Sequence, residues 1–315
     1  MRRATSLLVV ATALAVAVGC APRQLAPRQG FIPVTGGRVW YEVVAGPGSG
    51  VPVMVLHGGP GGSTCSMAAL AELSGDRPVV FYDQLGGGRS EQPADLSLWR
   101  LERFVEELDR VRGTLRLSRV HLLGHSWGAY LAAAYLKRYG TGGIASVTFS
   151  SPLLSSPKWT EDAERLKRTL PEDIQKIIRD HEAAGTTESP AYQKAMDVFY
   201  ERYVYGGPRP VVPQCRGVRG GSVVYNTMWG PSEFTALGNL KDVDATPGLP
   251  RLRIPVLFLA GRFDEATPET VAGFQRLVPG SRMVVFEKSA HGSFHTERER
   301  YLQTVREFLA DADRP

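Results

Sequence analysis

The stretch Val120-His121-Leu122-Leu123-Gly124-His125-Ser126-Trp127-Gly128 decides the fold. Its first four residues have the apolar character of a buried strand, and the alanine-rich segment from Ala129 onward predicts a helix. Between them, Gly-x-Ser-x-Gly has the spacing of a nucleophile elbow, a sharp strand-to-helix turn that presents a serine. Both glycines are needed because a side chain would clash where the turn is tightest. Ser126 is therefore predicted to be a catalytic nucleophile.

Short apolar runs alternate with helical patterns along most of the chain. The candidate strands are residues 51–56, 78–82, 119–123, 145–150, 255–260 and 282–286, preceded by an alternating run at 38–44 that predicts an antiparallel edge strand. Such alternation is typical of the α/β class, in which helices cover both faces of a mostly parallel, doubly wound sheet.

The pattern changes between residues 152 and 245. Charged helical stretches at 161–170 and 171–182 replace the buried strands, and a Gly/Pro-rich span follows at 206–221. The alternation of predicted strands and helices resumes at Ile254. The sequence thus predicts a core formed by residues 31–151 and 246–315, with residues 152–245 inserted as a helical cap.

A serine nucleophile needs a base and an acid that orients it, and an elbow of this kind is followed first by the acid and then by the histidine. Asp264 comes just after the candidate strand 255–260 and is the predicted acid, with Glu265 as the alternative. His291 follows the strand 282–286 by a short loop and is the predicted base, with His295 as the alternative.

Two glycine-rich loops accompany these residues. His57-Gly58-Gly59-Pro60-Gly61-Gly62 follows the strand 51–56, and the Gly59 and Trp127 N–H groups are the predicted oxyanion donors, each worth about 2.7 to 4 kcal/mol in the transition state. A phosphate-binding turn fits poorly because Pro60 lacks an N–H and no lysine follows. In the second loop, residues 82–90, Asp83 and Arg89 are predicted to brace neighbouring segments.

The N-terminus has the layout of a secretory signal. Arg2 and Arg3 precede the apolar residues 7–18, and Gly19 stands before Cys20. This resembles a bacterial lipobox, although Ala17 replaces the usual leucine. We expect a signal peptide at residues 1–20, lipidation of Cys20, a tether at 21–30, and export to the cell envelope as a membrane-anchored lipoprotein. Ordinary cleavage nearby and an uncleaved anchor are the alternatives.

Composition limits the remaining functions. The 315 residues are 43% hydrophobic, and the formal charge of +5 includes Arg2 and Arg3, so the pattern gives no case for nucleic-acid binding. No metal or cofactor is predicted. With Cys20 lipidated, only Cys65 and Cys215 remain, and they either pair or stay free.

Five motifs together resemble the proline iminopeptidase family of α/β-hydrolases, in particular the tricorn-interacting aminopeptidase type. They are HGGPGG at 57–62, YDQLGGGRS at 82–90, GHSWG at 124–128, WGPSEF at 229–234 and GRFDEATP at 261–268, and the resemblance covers about residues 31–310. It implies the α/β-hydrolase fold with a cap, and the release of N-terminal residues from short peptides without a cofactor. It also implies that Glu233 and Glu265 bind the α-ammonium group of the substrate.

Three functions follow as hypotheses. The first is a serine aminopeptidase that releases N-terminal residues, proline among them, from short peptides or aminoacyl amides through an acyl-enzyme. The second is an amidase or esterase that acts on small amides or lactones with the same triad. The third is a surface lipoprotein that binds peptides without catalysis. The sequence leaves the preferred first residue, the peptide length, the oligomeric state and the side of the envelope open.

Overall fold

The computed structural model describes residues 25–314. The predicted signal peptide and the predicted lipidation site Cys20 lie outside these residues. Within residues 25–314, no helix has both the length and the apolar character needed to cross a membrane.

Eight strands form one sheet in the order β1-β2-β4-β3-β5-β6-β7-β8. Their bounds are Arg28–Val34 (β1), Gly37–Val44 (β2), Val53–Leu56 (β3), Val79–Tyr82 (β4), Val120–His125 (β5), Ile144–Ser150 (β6), Val256–Gly261 (β7) and Arg282–Phe286 (β8). β2 pairs antiparallel with β1 and β4, and all other neighbours are parallel. The carboxyl ends of β3, β5, β7 and β8 therefore meet at one edge of the sheet, where the predicted site residues follow.

The predictions for the N-terminal edge of the sheet were wrong in two respects. Residues 38–44 were expected to form the edge strand, but β2 is an inner strand and β1 is the edge. Residues 28–30, expected to belong to a tether, start β1. A tight turn between Val34 and Gly37 pairs the two strands, and Ile32 is buried while Phe31 faces solvent, so the hairpin secures this segment.

Nine α-helices lie within the described residues. They are Leu101–Thr114 (α1), Trp127–Tyr139 (α2), Ser156–Lys167 (α3), Glu172–Ala184 (α4), Pro190–Tyr200 (α5), Ser222–Met228 (α6), Pro268–Arg276 (α7), Ser293–Thr296 (α8) and Arg298–Asp313 (α9). α1, α2 and α7 contribute to one large buried cluster, whereas α9 and the 3-10 segment Thr64–Gly75 contribute to another. Helices thus cover the sheet on two faces, which confirms the predicted α/β-hydrolase architecture.

The four helices α3 to α6 lie between β6 and β7. Three of them, with the short π-helix Glu201–Tyr205, surround a separate apolar cluster that includes Leu166, Ile178 and Phe199. The Gly/Pro-rich span is attached to the core at several points, among them a bond from the Gly88 N–H to the Arg219 carbonyl at 3.0 Å. A disulfide joins Cys65 to Cys215, and the Gly221 N–H donates to the Gly61 carbonyl at 2.7 Å. The two cysteines whose pairing the sequence left open are therefore bonded.

Candidate active site

Ser126 occupies a strained turn between β5 and α2. Its backbone has φ 54° and ψ −122°, a combination that residues with a side chain rarely adopt. A Cβ added to Gly124 would lie 2.3 Å from the Gly128 carbonyl oxygen, and one added to Gly128 would lie 2.1 Å from the Leu56 carbonyl oxygen. Both positions thus exclude any side chain, for the reason inferred from the sequence.

Asp264 and His291 are hydrogen-bonded, with 2.7 Å between Asp264 Oδ1 and His291 Nδ1. The Ala266 and Gly261 N–H groups donate to the two carboxylate oxygens of Asp264 at 2.9 and 3.2 Å, which fixes its orientation. Because a carboxylate only accepts, Nδ1 of His291 carries a proton, and in the neutral imidazole Nε2 is then the acceptor. The alternative histidine, His295, instead packs against Phe294, with 4.6 Å between the ring centroids.

The His291 ring lies against the residue that precedes Ser126. The ring centroids of His125 and His291 are 4.6 Å apart, and the His291 carbonyl accepts from Ser151 Oγ at 3.1 Å. The hydrogen bonds of residues 25–314 do not include one between Ser126 Oγ and His291, and such contacts are often long until a substrate or transition state is bound. Burial holds the pKa of His125 well below its ordinary value, and His291 lowers it further, so His125 is neutral.

The predicted oxyanion loop touches Ser126 directly. A Cβ on Gly58 would lie 3.1 Å from Ser126 Cβ, and the next residue, Gly59, has a φ of +116° that favours glycine. Trp127 is the first residue of α2, so its N–H has no acceptor within the helix. Both predicted donor residues therefore stand beside Ser126.

A buried hydrogen-bond network that the sequence interpretation missed holds this loop to the elbow. The Gln84 N–H donates to His57 Nε2 at 2.9 Å, and Trp127 Nε1 donates to Gln84 Oε1 at 2.8 Å. His57 Nε2 is thus an acceptor, and its Nδ1–H donates to the Gly58 carbonyl at 2.8 Å. Burial lowers the pKa of His57, which keeps the ring neutral and this arrangement intact.

Asp83, next to Gln84, has the bracing role that the sequence suggested. The buried carboxylate accepts from Ser63 Oγ at 2.9 Å, from the Thr64 N–H at 2.7 Å and from the Arg89 N–H at 2.9 Å. It therefore connects the second glycine-rich loop to the segment that follows the oxyanion loop.

Glu265 brings a second carboxyl group to His291. Its Oε1 lies 3.8 Å from His291 Nε2, the side chain is buried, and neither carboxyl oxygen has a hydrogen-bond partner within residues 25–314. Burial raises the pKa of Glu265 well above its ordinary value, and the nearby Glu233 and Asp264 raise it further. A buried carboxyl group without a partner therefore retains its proton more strongly than one in water, and a cation beside it would stabilise the ionised form.

Glu233 comes from the loop after α6 and is held through its backbone. Its N–H donates to Tyr200 Oη at 3.0 Å, and its carbonyl accepts from Trp159 Nε1 at 2.9 Å and from Trp229 Nε1 at 3.2 Å. Loss of hydration raises the pKa of Glu233, whereas His291 lowers it.

Two phenol groups lie near the glutamates. Burial raises the pKa values of Tyr200 and Tyr225 well above the ordinary value of 10.0, with Glu233 contributing to both shifts, so both phenols stay protonated.

The described residues contain no group of three or more His, Cys, Asp or Glu side chains with the spacing of a metal site.

The fold and the site define the class of this protein. A strained serine, a histidine–aspartate pair and an adjoining glycine loop meet at the carboxyl edge of a mostly parallel sheet, as in serine hydrolases of the α/β-hydrolase fold. A family model described as the alpha/beta hydrolase fold matches residues 51–298.

Individual relatives narrow the class to a family. A proline iminopeptidase of Heyndrickxia coagulans is 49% identical over 284 residues, which cover 89% of this chain and 98% of that protein. The solved proline iminopeptidase of Mycobacterium smegmatis has a TM-score of 0.80 at 34% identity, covering 91% of this chain and 99% of that one. The structure of VinJ gives a TM-score of 0.84, also at 34% identity, with 91% and 100% covered. The chain belongs to the proline iminopeptidase family.

Proposed function

We propose that this protein is a serine aminopeptidase that releases N-terminal residues, proline among them, from short peptides or aminoacyl amides. The observation that carries the proposal is the Glu265 carboxyl group, which is buried without a partner and lies 3.8 Å from His291 Nε2. The charge of an α-ammonium group would offset the cost of burying the Glu265 carboxylate, and Glu233, which helps to raise the pKa of Glu265, lies near enough to share that charge.

The position of this cation site favours cleavage after one residue. The nitrogen and the carbonyl carbon of one amino acid are only about 2.5 Å apart, as follows from standard backbone dimensions. An ammonium group bound by Glu265 therefore keeps the first carbonyl close to His291 and Ser126. A longer N-terminal extension would have to displace the ammonium group from its carboxylates. This geometry supports an aminopeptidase over an endopeptidase.

The catalytic steps follow from the contacts. Ser126 Oγ attacks the first carbonyl while His291 Nε2 accepts its proton, and Asp264 stabilises the resulting imidazolium through Nδ1. The N–H groups of Gly59 and Trp127 donate to the oxyanion. His291 then protonates the leaving amine, and the acyl-enzyme remains. His291 removes a proton from a water molecule, whose oxygen attacks the acyl-enzyme ester, and His291 then gives that proton to Ser126 Oγ as the ester bond breaks.

Acetylation of the substrate amine tests this function. We expect kcat/KM for N-acetylprolyl-aminomethylcoumarin to be about 10² to 10³-fold below that for prolyl-aminomethylcoumarin, because the acetylated amine has no charge to pair with the buried carboxylates. Initial rates with the two fluorogenic substrates measure the ratio. A general amidase or esterase would hydrolyse both substrates at similar rates, and that result would reject the aminopeptidase.

We further propose that the protein is exported and anchored through a lipidated Cys20. Support comes from the signal layout of residues 1–20 and from the disulfide between Cys65 and Cys215, a bond that persists mainly in oxidising compartments. The anchor would place the peptidase in the cell envelope, where short peptides are its substrates.

Replacing Cys20 with alanine tests the anchor. The full chain, expressed in a bacterium that processes lipoproteins, is expected to partition into the detergent phase of Triton X-114, because two or more acyl chains give stable membrane attachment. Cys20→Ala is expected to move to the aqueous phase with its aminopeptidase activity intact. Mass spectrometry of the mature N-terminus identifies the modification. Recovery of the wild-type chain in the aqueous phase with Met1 retained would contradict the proposal.

A further inference from the structure

One face of α3 contacts the catalytic imidazole, the loop that contains Glu233 and the loop that contains Asp264 and Glu265. Trp159 and Asp162 are three residues apart and therefore lie on the same side of the helix. Both side chains are buried. Trp159 reaches the imidazole and the loop of Glu233, whereas Asp162 reaches the loop that contains Asp264 and Glu265.

Trp159 makes two directional contacts. Its Nε1–H donates to the carbonyl oxygen of Glu233 at 2.9 Å, and its ring meets the ring of His291 edge to face, with 5.7 Å between centroids and 83° between planes. An indole is rigid, so these contacts set the separation between the Glu233 backbone and the imidazole. A second indole, Trp229, packs edge to face against Trp159 and also donates to the Glu233 carbonyl at 3.2 Å.

Asp162 joins α3 to the loop that contains Asp264 and Glu265. Its Oδ2 accepts from Thr267 Oγ1 at 2.8 Å, and Thr267 is the N-cap residue of α7, two positions after Glu265. The helix that carries Trp159 is thus held to the loop of Asp264 and Glu265. Movement of α3 would alter the amine site and the triad together.

We propose that Trp159 is a positioning residue that fixes the distance between the amine site and the catalytic imidazole, and so determines that hydrolysis follows the first residue. This inference rests on the aminopeptidase function proposed above. The Nε1–H bond to Glu233 acts on substrate binding, because it places the carboxylate that receives the ammonium group. The ring contact with His291 acts on the triad, which any acyl substrate uses.

Replacing Trp159 with phenylalanine separates the two contacts, because it removes the N–H donor and keeps an aromatic ring beside His291. We expect KM for prolyl-aminomethylcoumarin to rise about five- to ten-fold, as for the loss of one buried hydrogen bond, with kcat within two-fold of wild type. The rate with p-nitrophenyl acetate, an ester without an amine, is expected to change less than two-fold.

Trp99→Phe is the matched control. Trp99 is equally buried, and its Nε1 has no hydrogen-bond partner within residues 25–314, so the same substitution removes packing volume without removing a bond. It is expected to leave KM within two-fold of wild type. If Trp159→Phe is too unstable to measure, Trp159→Tyr supplies a larger side chain with the same loss of the indole donor.

Two results would overturn the positioning role. One is an unchanged KM for the prolyl substrate in the Trp159 variants. The other is an equal loss of activity toward the prolyl and acetyl substrates, which would mean that Trp159 acts only through the triad. The wild-type measurements test the underlying function separately: a wild-type enzyme that hydrolyses the ester but no aminoacyl substrate rejects both proposals.

Discussion

Replacing Ser126 with alanine is expected to lower kcat for prolyl-aminomethylcoumarin by about 10⁴-fold or more, because the variant cannot form the acyl-enzyme. The same variant should fail to react with a fluorophosphonate, whereas the wild-type chain should gain one adduct. Initial rates and intact-protein mass spectrometry give the two readouts. The expected effect is large because the strained turn at Ser126 presents a single hydroxyl next to the oxyanion loop.

Ser146→Ala provides the control for this experiment. Ser146 is a fully buried serine in β6, and its Oγ is hydrogen-bonded to His121 Nδ1 at 2.7 Å, in a different network from that of Ser126. The control should retain both the adduct and the activity. Persistence of the adduct or of substantial activity in Ser126→Ala would place the nucleophile elsewhere. A wild-type chain that neither reacts nor hydrolyses any substrate would favour the non-catalytic binder.

Features encoded in short stretches could be predicted from the sequence. The elbow is specified within residues 120–128, because the glycine requirement at 124 and 128 arises from backbone contacts only a few residues away or with the adjacent strand. The inner parallel strands are equally readable, since burial on both faces makes them continuous apolar runs such as Val53–Leu56. The fixed order of nucleophile, acid and histidine then selected Asp264 and His291, which the structure joins by a hydrogen bond.

Features that depend on distant pairs could not be predicted. The bond from Gln84 to His57 and the bond from Trp127 to Gln84 join three separate segments of the chain, and no local pattern at these residues signals the contacts. No sequence pattern around Trp159 signals its contact with His291, because the two residues are far apart in the chain and meet only where α3 packs against the active site. The edge strand β1 was missed because residues 28–34 follow a proline-containing segment that resembles a tether. Only the pairing with β2 makes these residues a strand.

Glu265→Gln is expected to lower kcat/KM for prolyl-aminomethylcoumarin by about 10² to 10³-fold, because the ammonium group then enters a buried site that has lost one of its two carboxylates. Hydrolysis of p-nitrophenyl acetate should change much less, since Asp264 and not Glu265 holds Nδ1 of His291. Glu269→Gln, a change at an exposed position in α7, is the matched control and should leave both rates unaffected. Equal losses with both substrates would assign Glu265 to the triad instead of the amine site.

The same variant should be more stable than the wild-type enzyme, and the difference should grow with pH. The pKa of Glu265 in the folded protein is raised well above its ordinary value of 4.5, so above that pH the folded state holds a proton that the unfolded chain has released. Wild-type stability therefore falls as the pH rises from 4.5 toward the raised pKa, whereas glutamine has no such dependence. Thermal unfolding at several pH values from 5 to 8 measures the difference. If Glu265→Gln is instead less stable than the wild-type enzyme between pH 5 and 8, the Glu265 carboxylate already has a stabilising partner in the folded protein. That result would reject the proposed ammonium site.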